Sequence, residues 1–228
     1  MTFWDHLDEL RSVLLRCLIA TAVVACLAFV FKDEVFSVVL APKDPAVQLI
    51  NTELTSQFVI HMMVSFYVGL LVTAPYLLFE AYRFIAPALY QNEKRYATHV
   101  ILSGYLMFML GAAFNYFVVF PITFRFLGNY QVSDDVANMI SLQSYIDTLM
   151  VLSLMMGVVF EIPVVTWLLG KMGIVNGSLM RQYRRHAIVL IVVVAAIITP
   201  TSDAFTLAIV SVPMYLLYEV SIWLVKRE

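Results

Sequence analysis

The stretch TLMVLSLMMGVVFEIPVVTWLLG, residues 148–170, decides how this chain folds. Its only ionisable group is Glu161. As a helix it would reach ~35 Å at ~1.5 Å per residue, enough to cross a hydrocarbon core of ~30 Å. Lipid offers backbone N–H and C=O groups no partner, so such a stretch must satisfy them internally. A barrel strand alternates polar and apolar residues, and this stretch does not. It reads as a membrane-crossing helix.

Outward from it, residues 17–31, 54–79, 96–124, 187–202 and 204–218 are likewise free of Asp, Glu, Lys and Arg. The chain is therefore expected to be an all-α membrane protein with six transmembrane helices, at approximately 13–31, 56–80, 96–125, 146–170, 186–200 and 204–225, forming one polytopic domain over 1–228. Composition agrees: 62% hydrophobic and 13% charged residues cannot be arranged around one aqueous core.

Orientation follows from the basic residues. Arg11, Arg16, Arg83, Lys94, Arg95, Lys171, Arg181, Arg184, Arg185, Lys226 and Arg227 fall on one side, and only Lys32, Lys43 and Arg125 on the other. The richer side faces the cytoplasm, which puts both termini inside. The first sixteen residues lack the basic start and small-residue cleavage site of a secretory signal, so the first span is expected to stay in the mature protein.

Pro75, Pro121, Pro163 and Pro213 lie within or near the ends of spans, where each removes a backbone hydrogen bond and favours a bend. Several bent helices imply a concave scaffold rather than a straight bundle. The outer loops 32–53 and 128–147 are each long enough for a short interfacial helix. The fifth and sixth runs are short: 187–199 reaches ~20 Å and 204–218 ~22 Å. The bilayer must then thin there, or the polar turn 200–203 must sit in a water-filled recess.

Glu161 lies about ten residues from Lys171, ~15 Å into the bilayer, where an ionised carboxylate costs at least a few kcal/mol unless paired or wet. It is a functional candidate, against the plainer role of a protonated group bonded between helices. Leu7, Leu10 and Leu14 share one face of the N-terminal segment and Asp5 and Glu9 another, the pattern of an amphipathic helix on the inner surface. By itself this reads as a solvated lead-in helix. The loop 84–95 joins an apolar aromatic half to a charged half; it is either a peptide-docking surface or an ordinary connection. Asp203 follows Thr199-Pro200-Thr201-Ser202 and suits a helix N-cap. Trp4, Trp167 and Trp223 sit near inner interfaces, as an aromatic belt requires.

Residues 75–80 and 213–219 look alike, each a proline, an apolar aromatic stretch and a glutamate, but they are too short to argue a duplication and read as chance similarity. Cys17 and Cys26 lie ~13 Å apart along one helix, too far to bridge. The sequence has no phosphate-binding loop, zinc-helix pair or nucleophile elbow, and its four histidines are scattered. An enzyme, a metal site, a cofactor and a nucleic-acid partner are not expected. A proton-coupled small-solute transporter using Glu161 is the alternative, although no repeat of the expected kind is evident.

Five segments resemble TatC proteins in order and spacing: His6-Leu7-Asp8-Glu9-Leu10-Arg11; Phe84-Ile85-Ala86-Pro87-Ala88-Leu89-Tyr90 with Glu93-Lys94-Arg95; Phe114-Asn115-Tyr116-Phe117-Val118-Val119-Phe120-Pro121; Phe160-Glu161-Ile162-Pro163; and Thr199-Pro200-Thr201-Ser202-Asp203. The resemblance implies the signal-peptide receptor of the twin-arginine translocase, in the bacterial cytoplasmic (inner) membrane. Such a receptor would work with TatA- and TatB-like single-span partners, and with self-association, to export folded proteins on the proton motive force. It implies Glu9 and Glu93 as acidic contacts for the arginine pair, with Phe84 and Arg11 nearby. It also implies Glu161 as the intramembrane polar position and Pro42 and Asp203 as functional on the outer side. Leu207 stands where the family leads one to expect a polar residue, often glutamine, and the turn 200–203 has one proline where some relatives have two.

Overall fold

The structure, a computed structural model, describes residues 3–43, 47–85, 97–131, 133, 138–200 and 203–226. In chain order these form α1 (Phe3–Val30), α2 (Lys32–Val39), β1 (Leu49–Ile50), α3 (Ser56–Ile85), α4 (Ala97–Phe114), a π-helical turn (Asn115–Val119) and α5 (Phe120–Asn129). Then come β2 (Ile140–Ser141), α6 (Leu142–Phe160), α7 (Ile162–Lys171), α8 (Gly177–Gln182), α9 (Arg184–Ile198) and α10 (Ala204–Lys226).

Among the described residues, five helical stretches are long and apolar enough to cross a membrane: Leu7–Val30, Ser56–Phe84, Val100–Asn129, Leu142–Lys171 and Ala204–Val225. The shorter α9 has 15 residues, ~22 Å at ~1.5 Å per residue. The expectation of two short C-terminal spans fails for the second of them. Continuing through Glu219, α10 attains 23 residues, because that carboxylate is bonded within the protein: Arg184 Nη2 donates to Oε2 at 2.6 Å and Tyr215 Oη to Oε1 at 3.0 Å.

The fourth span, expected at 146–170, begins four residues earlier in the structure. α6 starts at Leu142 and carries Asp147, whose two oxygens accept from Gln143 Nε2 at 3.0 and 2.9 Å. An i,i+4 bond of this kind satisfies the carboxylate on the helix surface.

Prolines act in two ways. At Pro163 regular α-helix is interrupted, α6 ending at Phe160 and α7 beginning at Ile162 with Pro163 in its first turn. Pro121 sits in the first turn of α5, directly after the π-helical turn. An extra residue wound in upstream accommodates the proline's missing donor. Pro75 and Pro213 lie inside helices that run on past them.

The buried core centres on α6. One cluster joins Leu152, Met156, Val159 and Phe160 to Ile191, Ala195 and Ile198 of α9 and to Val210 and Met214 of α10. The other joins Tyr145, Ile146, Leu149 and Met150 to Val39, Ile60, Val64, Phe120 and Phe124. Close approach of α4 to α6 depends on Gly111, where a Cβ would lie 2.4 Å from the Met156 carbonyl oxygen.

The loop 32–53 contains the expected short helix, α2, whose terminal carbonyls are tied to two spans. Tyr116 Oη donates to Val38 O at 2.6 Å and Tyr145 Oη to Val39 O at 3.1 Å. The loop between α5 and α6 has no such helix among its described residues. Instead β2 pairs in parallel with β1, Leu49 against Ile140 and Ile50 against Ser141. Asp134 and Asp135 lie outside the described residues.

Candidate functional site

α1 and α3 run antiparallel and touch along their length. Arg16 meets Glu80, and deeper in, the Thr21 and Thr73 hydroxyls lie 3.2 Å apart. Further along, a Cβ on Gly69 would lie 2.9 Å from Thr21 O. Numbers rise in α1 as they fall in α3, so the pairing carries Glu9 and Arg11 to the same end as Phe84, the penultimate residue of α3. Arg11 is exposed and Phe84 half-buried. Glu9 is half-buried, and its Oε2 is buried with no hydrogen-bond partner among the described residues. Glu93 lies outside the described residues.

Pro42 belongs to the turn after α2, at the opposite end of α1 from Glu9. Asp203 caps α10: its Oδ1 accepts from the Thr206 N–H at 2.7 Å, the local role its sequence context suggests. Leu207 follows one turn into α10 and packs against the α6–α9–α10 cluster, so at this position an apolar side chain fills core space.

Glu161 occupies the break between α6 and α7. Its N–H donates to Val158 O at 3.1 Å and its carbonyl accepts from the Val165 N–H at 2.9 Å. The side chain is half-buried and turned toward α4, where a Cβ on Gly104 would lie 3.1 Å from Oε2 and 3.5 Å from Oε1. Gly104 thus leaves room for the carboxylate. Oε1 is buried without a hydrogen-bond partner among the described residues. An acceptor left in that state is costly until a proton, a water or a partner's donor reaches it.

Two polar features were not singled out from sequence. Asn115, 0% exposed, donates from Nδ2 to Ser153 Oγ at 2.8 Å and joins the π-helical turn to α6. Glu80, 2% exposed, is clamped by Arg16 and Tyr76. A glutamate in an apolar helix was the available signal for the second. For the first it was an asparagine six residues before a proline. Among the described residues no group of His, Cys, Asp and Glu side chains could hold a metal ion.

Long apolar helices, polar ties between them and carboxylates held at or within the membrane define a multi-pass helical membrane protein. The family described as Sec-independent protein translocase protein (TatC) matches residues 5–213. The TatC protein of Escherichia coli K12 is 37% identical over 227 residues, covering 96% of this chain and 85% of its own. That of Deinococcus radiodurans is 35% identical over 226 residues, covering 96% and 83%. A crystal structure of the twin-arginine translocase receptor TatC superimposes with a TM-score of 0.85 at 36% identity, covering 96% of this chain and 97% of that one. The chain belongs to the TatC family and is a subunit of the twin-arginine protein translocase. Relatives of this kind are named as components of a transport machine.

Proposed function

We propose that this subunit is the receptor for twin-arginine signal peptides at the cytoplasmic face of the bacterial inner membrane. Glu9 and Glu93 accept the two guanidinium groups, and Phe84 and Arg11 border the same recognition surface. The supporting observation is Glu9 itself: a buried carboxylate oxygen without a partner among the described residues, at the end of the α1–α3 pair. Arginine stays charged and bonds carboxylates through two parallel N–H groups, so such an oxygen suits it.

Six spans then place both termini in the cytoplasm, with α9 as the short fifth. Glu161 acts as the intramembrane polar position, meeting water or a polar group of a partner helix, while Pro42 and Asp203 serve the outer side. TatA- and TatB-like single-span proteins complete the export of folded cargo on the proton motive force. An apolar groove of about 290 Å³ between α9 and α10, with Ser211 and Tyr215 as its polar members, supports docking of such a helix.

A photo-reactive residue at position 9 or 93 tests this reading. It should crosslink to a precursor with an intact arginine pair, and lysine replacement of the pair should abolish the product. Equal crosslinking of both precursors would remove the basis for the proposal.

A further inference from the structure

Arg16, Glu80 and Tyr76 close a polar cluster inside an otherwise apolar helix pair. Arg16 donates from Nε to Glu80 Oε1 at 3.0 Å and from Nη2 to Oε2 at 2.8 Å, a two-pronged pair. Tyr76 Oη adds a bond to Oε1 at 2.9 Å, and Arg16 Nη1 donates to Ser12 Oγ at 2.7 Å. Both carboxylate oxygens are satisfied by groups on two helices. Such a pair fixes direction as well as distance, which small residues packing at Gly69 and Thr73 cannot do alone.

Its position gives the cluster a consequence. Glu9 lies seven residues before Arg16, which is two turns along the same face of α1, ~10 Å away. Ile85, the end of α3, lies five residues after Glu80 and leads directly into the segment that carries Glu93.

We propose that Arg16, Glu80 and Tyr76 are positioning residues for signal-peptide recognition. They hold the Glu9 face of α1 against the Phe84 end of α3, so that Glu9 keeps a fixed place beside that end. This rests on the receptor reading above. A site whose supporting contacts are lost becomes too loose to hold its ligand.

The fold supplies its own control. Tyr215-Leu216-Leu217-Tyr218-Glu219 repeats the pattern of Tyr76-Leu77-Leu78-Phe79-Glu80, and Glu219 is held by the same residue types, Tyr215 at 3.0 Å and Arg184 at 2.6 Å, in a more exposed setting. That second clamp joins α9 to α10, and α10 packs against α5 to α8. A general stabilising role predicts that the two clamps are equivalent for peptide binding. A positioning role predicts that only the first matters.

The test uses the full chain purified in detergent and a fluorescent twin-arginine signal peptide. Glu80→Gln and Arg16→Met should each bind about tenfold more weakly. The exchanged pair, Arg16→Glu with Glu80→Arg, should recover most of that loss, and Glu219→Gln should stay within about twofold of wild type. Glu80→Gln, which breaks the more buried pair, should lower the melting midpoint more than Glu219→Gln, so binding is read at a temperature where both variants are fully folded. Should Arg16→Met fail to fold, Tyr76→Phe, which keeps the ion pair, should still weaken binding about threefold. Wild-type affinity in Glu80→Gln and Tyr76→Phe overturns the proposal, as does an equal loss in Glu219→Gln. A wild-type protein that does not prefer the arginine pair would instead overturn the receptor reading, and the positioning role with it.

Discussion

Gly111→Ala places the heaviest demand on the packing that presents Glu161. The added Cβ would meet the Met156 carbonyl oxygen at 2.4 Å and the Phe160 Cβ at 2.9 Å. Ordinary contact begins near ~3.5 Å, so the closest pair is about 1 Å too near. Backbone atoms of α6 cannot rotate away, so α4 and α6 must separate, and Phe160 immediately precedes Glu161. Overpacking of this sort costs about 1–3 kcal/mol, which for a chain of this size corresponds to a drop of about 2–12 °C in melting midpoint. Gly104→Ala is the comparison. There the nearest atoms are side-chain ends, Glu161 Oε2 at 3.1 Å and Leu78 Cδ1 at 3.6 Å, which can turn aside. It should melt within about 2 °C of wild type. Thermal unfolding in one detergent, followed by tryptophan fluorescence, reads both variants. If Gly111→Ala melts with wild type, or Gly104→Ala is the worse of the two, the helix contact inferred here is wrong.

Other outcomes follow from the same geometry. Glu161→Gln should support export better than Glu161→Leu, because the amide keeps an acceptor at the α6–α7 break; equal export by Gln, Ala and Leu variants would reduce the residue to packing. Asn115 and Ser153 should couple by about 0.6–1.7 kcal/mol in a double-mutant cycle of unfolding, and zero coupling would mean that the 2.8 Å bond is energetically idle. With α9 only 15 residues long, the turn after it should be wet. Cysteine at Thr201 or Ser202, in a background lacking Cys17 and Cys26, should react with a membrane-impermeant thiol reagent from outside. Protection as complete as that of Val193→Cys would show the turn to be sealed.

The long apolar runs were legible because lipid leaves the backbone one choice, and charge marks where a run must stop. Which charges are satisfied inside the helix packing was not legible from charges counted singly. The last span, expected at 204–225, had to carry Glu219 inward, and it does so because Arg184 and Tyr215 satisfy that carboxylate. The span expected at 146–170 likewise carried Asp147; Gln143 satisfies it, and the helix starts four residues earlier, at Leu142. Glu80 stood in a segment noted only for its likeness to 213–219, because its partner Arg16 lies 64 residues away and only the folded hairpin brings them together. The break at Pro163 was legible from proline chemistry; that Gly104 faces the carboxylate there was not, since nothing local ties residue 104 to residue 161. Glu9, Arg11, Phe84 and Glu93 became candidates through family resemblance, while local pattern alone left the first two on a solvated lead-in helix.

Equilibrium binding of a twin-arginine signal peptide to the purified protein bears on the receptor proposal without intermediate steps. The intact peptide should bind at least about tenfold more tightly than the same peptide with lysine at both arginines, since lysine lacks the planar fork. Glu9→Ala and Glu93→Ala should each bring the intact peptide down toward the lysine value. Equal affinity of the wild type for both peptides, or wild-type affinity in both alanine variants, would contradict the assignment of these carboxylates as readers of the arginine pair.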